Sequence, residues 1–331
     1  MKTQLVFVFL LFLLKHKVTY ATMWPIKQYS EKDVYLQGFT LESFTVNKVI
    51  DCHMKCEDHI LCASINIILT ENKCELKYST KAEHPANFTI RPNTIYMQVR
   101  DYIKTPGSGK EKPVVSCSWW KKIEQNAKSG VYWITLNEPI KAFQSSAFQV
   151  FCDMTTDGGG WTLVYSYTFT QYSMFRTGSN AVTPIPNWPV MWSSLGWAPQ
   201  STTIPISESS YSAMGFKLWK NFGTEYLLKS SITNWVACVE GTGSLVRWVE
   251  GSLTCRVVNA ITTPCTNVAP NKLILLPCGP SFNKDETFQF LLDGSSTPDC
   301  WPAHDPCGTR PFMVSNHKTN VANPSGAIYI R

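Results

Sequence analysis

The stretch FCDMTTDGGGWTLV, Phe151 to Val164, places a cysteine in an apolar run, then three consecutive glycines, then a tryptophan that opens a second apolar run. A glycine-rich loop that binds phosphate runs into a helix and carries a lysine and a hydroxyl behind its glycines. This stretch has no lysine, and the residues on both sides of the glycines follow the two-residue period of strands. The pattern therefore predicts two strands joined by a turn, in which Asp-Gly tolerates positive φ and the further glycines permit a bulge or a close backbone approach beside Trp161.

The beginning of the chain has the composition of an export signal. Lys2 precedes an apolar run from Leu5 to Leu14, and a polar stretch with small residues ends at Ala21. The apolar run has ten residues, which is too short to cross a bilayer. We therefore expect residues 1–21 to be a signal peptide and the mature chain to be secreted, extracellular and without a membrane span.

The charge of the mature chain excludes some partners. The predicted signal holds three lysines and no acidic residue, so its removal lowers the net charge from +6 to +3. A small, dispersed positive charge argues against nucleic acid as a partner. The chain also lacks the acidic runs expected of a protein that binds mineral calcium directly through carboxylates.

The cysteines divide the chain into two parts. The sequence has 12 cysteines, and in an oxidising compartment an even number predicts disulfides rather than metal or redox chemistry. The stretch 101–116 is rich in proline, glycine and charge, without apolar periodicity, which is typical of a linker. Four cysteines lie before it and eight after it. We therefore predict two disulfide-bonded domains, 22–100 and 117–331, joined by this linker.

The first domain is predicted to contain one helix and a small sheet. Asn47 can cap a helix over NKVIDCHMKCEDH, in which Cys52 and Cys56 fall on one face. The stretches CASINIIL, CELKYS and IYMQVR alternate as strands do. His53, Cys56, His59 and Cys62 would also fit a zinc site. An exported domain favours disulfides instead, with both histidines on a solvated helix face.

The spacing of the four cysteines in this domain resembles that of the PAN/apple family. It is Cys52-x3-Cys56-x5-Cys62-x11-Cys74, with Cys-x-Leu at Cys74, and it lacks the outer cysteine pair that many apple domains carry. The resemblance implies the bridges Cys52–Cys74 and Cys56–Cys62. It also implies a module that binds proteins or carbohydrates and has no catalytic activity.

The start of the second domain resembles a fibrinogen-related C-terminal domain. The stretch CSWWKKIEQNAKSGVYWITL begins at Cys117 and is followed by the signature Cys-Asp-Met-x-Thr-Asp-Gly-Gly-Gly-Trp-Thr, and GAIYIR at 326–331 is similar to the family's closing strand. The resemblance implies a Cys117–Cys152 bridge and Trp161 packed beneath the next strand. The expected fold class is α+β: a small PAN/apple domain with one helix on a sheet, then a fibrinogen C-terminal-like α+β domain.

The middle of the second domain departs from that family. Many members hold calcium with an Asp-x-Asp run and bind acetylated ligands through a Cys-His segment and an Asn-Leu-Asn-Gly motif, and neither occurs here. Asp293, Asp299 and Asp305 are weak calcium candidates because they are spaced too widely for a compact loop. Trp301 and His304 would fit a sugar pocket, but the prolines and cysteines around them favour a disulfide-closed loop. No cofactor is expected.

Two covalent features complete the prediction. The six remaining cysteines allow fifteen connectivities, and the short loop between Cys300 and Cys307 favours that pair; the six are Cys238, Cys255, Cys265, Cys278, Cys300 and Cys307. One usable sequon, Asn87-Phe88-Thr89, predicts an N-linked glycan at Asn87, so the chain is expected to be a glycoprotein.

Three classes of function follow from these features. No Gly-x-Ser-x-Gly, His-Glu-x-x-His or similar motif occurs, so we expect no enzyme. A soluble lectin that binds acetylated or other glycans is the alternative, since 12 tryptophans offer flat faces to sugar rings. We favour an extracellular matrix component that adheres to matrix proteins or polysaccharides through two linked modules. The domain order resembles that of secreted cnidarian proteins, including those of the coral skeletal organic matrix, which implies a role in biomineralisation.

Overall fold

The computed structural model describes residues 29–100, 106–136, 146–190, 197–295, 301–309 and 315–331. These residues are mostly β, with few helices. They form a five-stranded sheet from the first part of the chain and a 12-stranded sheet from the second. None of the helices among them is long and apolar enough to cross a bilayer.

The first sheet is antiparallel, in the strand order β1-β5-β3-β4-β2. Its elements in chain order are β1 (Tyr29–Leu36), β2 (Thr40–Thr45), the helix α1 (Val49–Asp58), β3 (Ser64–Ile68), β4 (Lys73–Lys77) and β5 (Phe88–Gln98). The helix begins at Val49 with Lys48 at the N-cap and no side-chain cap, so the expected cap at Asn47 is wrong. Cys52 and Cys56 are both fully buried, as residues on one helix face would be.

The second sheet has the strand order β18-β17-β16-β15-β14-β13-β12-β19-β8-β7-β6, and β9 pairs with β8. It is preceded by the short helix α2 (Cys117–Ile123). Its strands are β6 (Gly130–Ile134), β7 (Phe148–Asp153), β8 (Trp161–Phe169), β9 (Val182–Thr183), β12 (Glu225–Ser230), β13 (Trp235–Glu240), β14 (Gly251–Asn259), β15 (Lys272–Leu276), β16 (Gly279–Lys284), β17 (Thr287–Leu291), β18 (Ala303–Thr309) and β19 (Ser325–Ile330). A separate parallel pair is formed by β10 (Ile185–Pro186) and β11 (Gln200–Ser201).

The second half of the predicted linker is attached to this sheet. The main chain of Val114 donates to the carbonyl of Trp133 at 2.9 Å and accepts from Thr135 at 2.8 Å. The amide of Trp133 donates in turn to the carbonyl of Gly107 at 2.6 Å. These bonds occupy the outer edge of β6, which would otherwise leave its backbone groups unpaired.

Both faces of the second sheet are covered. One face contributes to a large buried cluster that also includes residues of the first sheet. The other holds a small cluster around Trp161, Leu163 and Tyr329, all fully buried. The residue after β4, Tyr78, contacts the helix α2: its ring lies edge-on at 5.5 Å from that of Trp120, and its hydroxyl donates to Glu124 at 2.7 Å.

The structure contains the disulfides Cys52–Cys74, Cys56–Cys62, Cys117–Cys152, Cys238–Cys255 and Cys265–Cys307. The first three are the pairs that the two family resemblances imply. The expected Cys300–Cys307 bridge is wrong, because Cys307 is bonded to Cys265, 42 positions earlier. Cys278 is also disulfide-bonded, and Cys300 lies outside the described residues.

Candidate functional site

The glycine turn has a structural role, and two of its backbone carbonyls accept hydrogen bonds from Arg331. Gly158, Gly159 and Gly160 have φ angles of 84°, 76° and 80°. A Cβ atom on Gly159 would lie 2.1 Å from the carbonyl oxygen of Met154, so only glycine fits this position. The carbonyl of Gly159 accepts a hydrogen bond from the Arg331 guanidinium at 2.9 Å. A turn that offers carbonyl oxygens to an arginine is not arranged to bind phosphate.

The aspartate of the same signature holds a buried ion pair. Asp153 accepts hydrogen bonds from the amides of Thr155 and Thr156 at 2.9 and 3.0 Å, and its carboxylate lies 2.7 Å from the ammonium of Lys229. Burial opposes ionisation of Asp153, but the bond from Lys229 and the bonds from Thr156 outweigh it and hold its pKa below the usual range. Lys229 contacts Glu208 as well, at 3.0 Å, beside a small cavity of about 150 Å³. The ion pair between Asp153 and Lys229 therefore links β7 to β12.

The described aspartates that were considered for calcium accept hydrogen bonds from the backbone amides of different segments. Asp293 is fully buried and accepts from the amide of Ser295 at 2.7 Å. Asp305 is also buried and accepts from the amides of Cys307 and Asn316, both at 2.9 Å. The third candidate, at position 299, lies outside the described residues. Within the described ranges, no group of three His, Cys, Asp or Glu side chains could hold a metal ion.

The residues considered for a sugar pocket are placed differently. His304 is fully buried, with its Nδ1 2.9 Å from the Ser230 hydroxyl and its Nε2 3.1 Å from the Tyr167 hydroxyl. Burial lowers the pKa of His304 to about 3, so the ring is neutral. Its position in the core is incompatible with contact to a ligand. Trp301 is half-buried in the segment before β18.

The two histidines considered for zinc, His53 and His59, do not lie beside free thiols. Cys56 and Cys62 are joined in a disulfide, so neither can supply a thiolate to zinc. The Nδ1 atom of His59 accepts from the amide of Leu61 at 3.2 Å, and His59 is buried rather than solvated. Burial lowers its pKa to about 4. The Nδ1 atom of His53 lies 3.7 Å from the carboxylate of Glu57, and the His53 side chain is 12% exposed, so it is not on a solvated face either.

An open cavity of about 700 Å³ lies between the loop 170–177, which follows β8, and the loop 315–324, which precedes β19. We call it the interloop cavity. Its apolar lining consists of Tyr172, Phe175, Ile232, Val321, Ala322 and Pro324. Its polar lining consists of Ser173, His317, Lys318, Thr319 and Asn320. Ligand pockets in proteins have this range of volume and this mixture of an apolar lining with a few polar groups.

The two loops contact each other, and one of them also contacts the buried core. Arg176 donates to the hydroxyl of Ser315 at 2.6 Å, across a sequence separation of 139 residues. The rings of Phe175 and His317 meet edge-on at 4.0 Å. The amide of Lys318 donates to the carbonyl of Ile232 at 2.8 Å. The cavity is therefore largely formed before any ligand arrives, which lowers the entropic cost of binding.

Buried polar groups extend this support behind the cavity. Asp305 accepts from Asn316, the residue before His317 in the cavity lining. The hydroxyl of Ser230, held by His304, accepts from the amide of Ile232 at 3.1 Å. Burial, assisted by the charge of Arg176 and opposed by that of Asp305, lowers the pKa of His317 to about 4. His317 is thus neutral at physiological pH.

Sequence reasoning did not find the interloop cavity. The stretch YSMF at 172–175 places two aromatic residues in a segment without strand periodicity, and Tyr172 and Met174 are 42% and 52% exposed. Two aromatic residues in a loop-like segment are a signal for binding that was available in the sequence, and the structure shows that Tyr172 is the exposed one. Their partners at 317–324 are distant in the chain, and only the pairing of β8 with β19 brings the two loops together.

The described residues form a mostly β, disulfide-bonded protein with an open cavity between two loops. A family model, the fibrillar collagen C-terminal domain, matches residues 89–176. The match covers less than half of the chain, from β5 of the first sheet to the loop that forms one wall of the interloop cavity. It includes the Cys117–Cys152 bridge and the glycine turn. The disulfides and this match are together typical of an extracellular protein.

Proposed function

We propose that this chain is a secreted, non-enzymatic adhesion protein of an extracellular matrix that holds its ligand in the interloop cavity. The observation that supports this proposal most directly is the cavity itself, which is open, about 700 Å³ in volume, and lined by both apolar and polar residues. The match to a collagen domain supports an extracellular matrix setting. Matrix proteins or polysaccharides are the proposed partners.

The proposed absence of catalysis has a specific support. Ser230 and His304 are in hydrogen-bond contact, which is the geometry of a nucleophile and its base. Both residues are buried, with 3% and 1% of their surface exposed, so the pair is shielded from bulk solvent. The pair positions the main chain at Ile232 instead.

The architecture we propose is a short PAN/apple module at residues 22–100, a linker whose second half is attached to the following sheet, and a divergent fibrinogen-related module at 117–331. Two disulfides support the first assignment: Cys52–Cys74 joins the helix to β4, and Cys56–Cys62 joins it to the segment before β3. The bridge that joins α2 to β7, with the glycine turn behind it, supports the second. A place in a coral-type skeletal matrix, and therefore in biomineralisation, is part of this proposal.

A soluble lectin is the second candidate. The observation that favours it is Tyr172, an exposed ring at the cavity on which a sugar could stack. The missing acetyl-ligand motif of the fibrinogen-related family argues for the matrix role instead.

The test uses the full secreted chain and insoluble matrix from the source tissue. We expect the protein to stay bound through washing with a calcium chelator, and to show little calcium-dependent retention on a column of N-acetylated sugar. Antibody staining should locate it in the matrix. Elution from the N-acetylated sugar by chelator, with staining in circulating fluid or mucus, would replace the matrix role with the lectin.

A further inference from the structure

The charges around the interloop cavity favour an anion. Among the described residues that line the cavity, Lys318 is the only one with a charged side chain at neutral pH, and it is exposed. No carboxylate is part of that described lining. Behind the wall, the negative charge of Asp305 is offset by the nearby Arg176, whose guanidinium interacts electrostatically with it. The ammonium of Lys318 therefore gives the cavity an excess of positive charge.

The shape and polarity of the lining favour a sugar ring. Tyr172 offers a flat, exposed surface, and Pro324 and Val321 supply further apolar surface. Sugar rings have apolar C–H faces that pack on such surfaces, and their hydroxyls need partners that both donate and accept. The side chains of Thr319 and Asn320 at the same cavity are of this kind.

We infer that the interloop cavity binds an anionic saccharide unit, with a sulfate or carboxylate group at Lys318 and a sugar ring against Tyr172. This inference rests on the proposed matrix-binding function and names its ligand class. A sulfate and a uronic acid carboxylate share the chemistry that an ammonium recognises, and the experiment separates them. A peptide ligand generally needs a deeper apolar pocket for an anchor side chain. The experiment also distinguishes a peptide from a saccharide.

The experiment measures affinity of the full secreted chain for soluble polysaccharides at several salt concentrations. Dextran and dextran sulfate form a matched pair that differs in charge, and hyaluronan carries carboxylates without sulfate. We expect binding to at least one of the two polyanions, weakening as salt rises, and little binding to dextran. Tight binding to dextran sulfate alone assigns a sulfate, and binding to hyaluronan assigns a carboxylate.

Four variants assign that binding to the cavity. Lys318→Gln should weaken polyanion binding about tenfold, because it removes a charge-assisted contact. Lys217→Gln changes an exposed lysine that does not line the cavity and should bind as the natural chain does. Tyr172→Ala should weaken binding several-fold, whereas Met174→Ala, an exposed residue of the same loop outside the lining, should not. Equal thermal midpoints show that the variants remain folded.

Two results would overturn the inference without touching the proposed function. One is equal affinity for dextran and dextran sulfate while the protein still binds insoluble matrix. The other is matrix binding that protease treatment of the matrix abolishes and that Lys318→Gln leaves unchanged, which would assign a peptide ligand. Failure to bind the matrix at all would instead reject the proposed function.

Discussion

The guanidinium of Arg331 lies 3.9 Å from the centre of the Trp161 ring, directly over the tryptophan that follows the glycine turn. The same guanidinium donates to the carbonyls of Asp157 and Gly159 and to the carboxylate of Glu225. One side chain thus joins the turn, the strand β8 that follows it and the first residue of β12. The glycines are needed because their backbone must approach this cation and turn back on itself.

Removal of this cation should destabilise the fold. Arg331→Gln loses the stacking on Trp161 and the charge-assisted bonds to Glu225, and we expect the free energy of unfolding to fall by about 2 kcal/mol. Arg256→Gln is the matched control, since Arg256 is exposed and contacts Asp157 alone among the described acids. It should change stability by less than about 0.5 kcal/mol. Equal effects of the two changes in chemical denaturation would contradict the account.

The glycine turn should not tolerate a side chain. Gly159 combines φ 76° with ψ −168°, a region that is almost exclusive to glycine, and a Cβ there would clash with Met154. We expect Gly159→Ala to lower the thermal midpoint by several degrees or to prevent secretion. Gly130→Ala is the control, because a Cβ at Gly130 would meet nothing within 4 Å. A Gly159→Ala protein as stable as the Gly130→Ala protein would refute this interpretation.

Acid should destabilise the protein through its buried histidines. Burial lowers the pKa of His304 to about 3 and that of His59 to about 4, below the value near 6.5 expected in the unfolded chain. The unfolded state therefore binds more protons between these values. Stability should be complete above about pH 6.5 and should fall by up to about 1.4 kcal/mol per pH unit for each histidine below it.

Thermal midpoints measured from pH 7.5 to pH 4.5 check this dependence. Burial opposes ionisation of Glu75, but the bond from Lys77 outweighs it and lowers the pKa of Glu75 to about 2, so the contribution of Glu75 is lost only below about pH 4.5. His317, whose pKa is lowered to about 4 by burial, adds to the decline in the same window. His304→Gln should flatten the decline, since it removes one titrating group. A midpoint in the natural chain that stays constant down to pH 4.5 would show that these histidines are not buried as described.

Disulfide mapping tests the topology of the second sheet. Non-reducing peptide analysis should recover Cys265–Cys307 and Cys238–Cys255. The second bridge joins directly opposed residues of β13 and β14, so it fixes the register of these strands. Recovery of a Cys300–Cys307 peptide would mean that the loop before β18 closes on itself, and the described course of β18 would then be wrong.

The sequence predicted features that depend on neighbouring residues. Strands on both sides of the glycine turn follow from two-residue periodicity, and the shared burial of Cys52 and Cys56 follows from helical spacing. The prediction that Asn47 caps the helix was wrong, because Lys48 lies between Asn47 and the first helical residue. The helix begins without a side-chain cap. Element boundaries of this kind depend on one or two residues and are weakly encoded.

Features that depend on distant residues were not predictable. The Cys265–Cys307 bridge requires that the loop after β14 meet β18, and a preference for short loop closure pointed to Cys300 instead. Asp305 accepts a hydrogen bond from Asn316, which is 11 positions later, and sequence spacing gave no sign of this contact. The interloop cavity arises from two loops that only the β8–β19 pairing brings together.

Blocking the interloop cavity tests the central claim most directly. Ser173 is an exposed residue of its lining, and Ser173→Trp would fill the cavity without disturbing the core. Ser179→Trp places the same ring on an exposed position outside the lining. The measurement is the fraction of each secreted protein that co-sediments with insoluble matrix. We predict that Ser173→Trp loses most of its binding while Ser179→Trp binds as the natural chain does; equal binding by both variants would contradict the account.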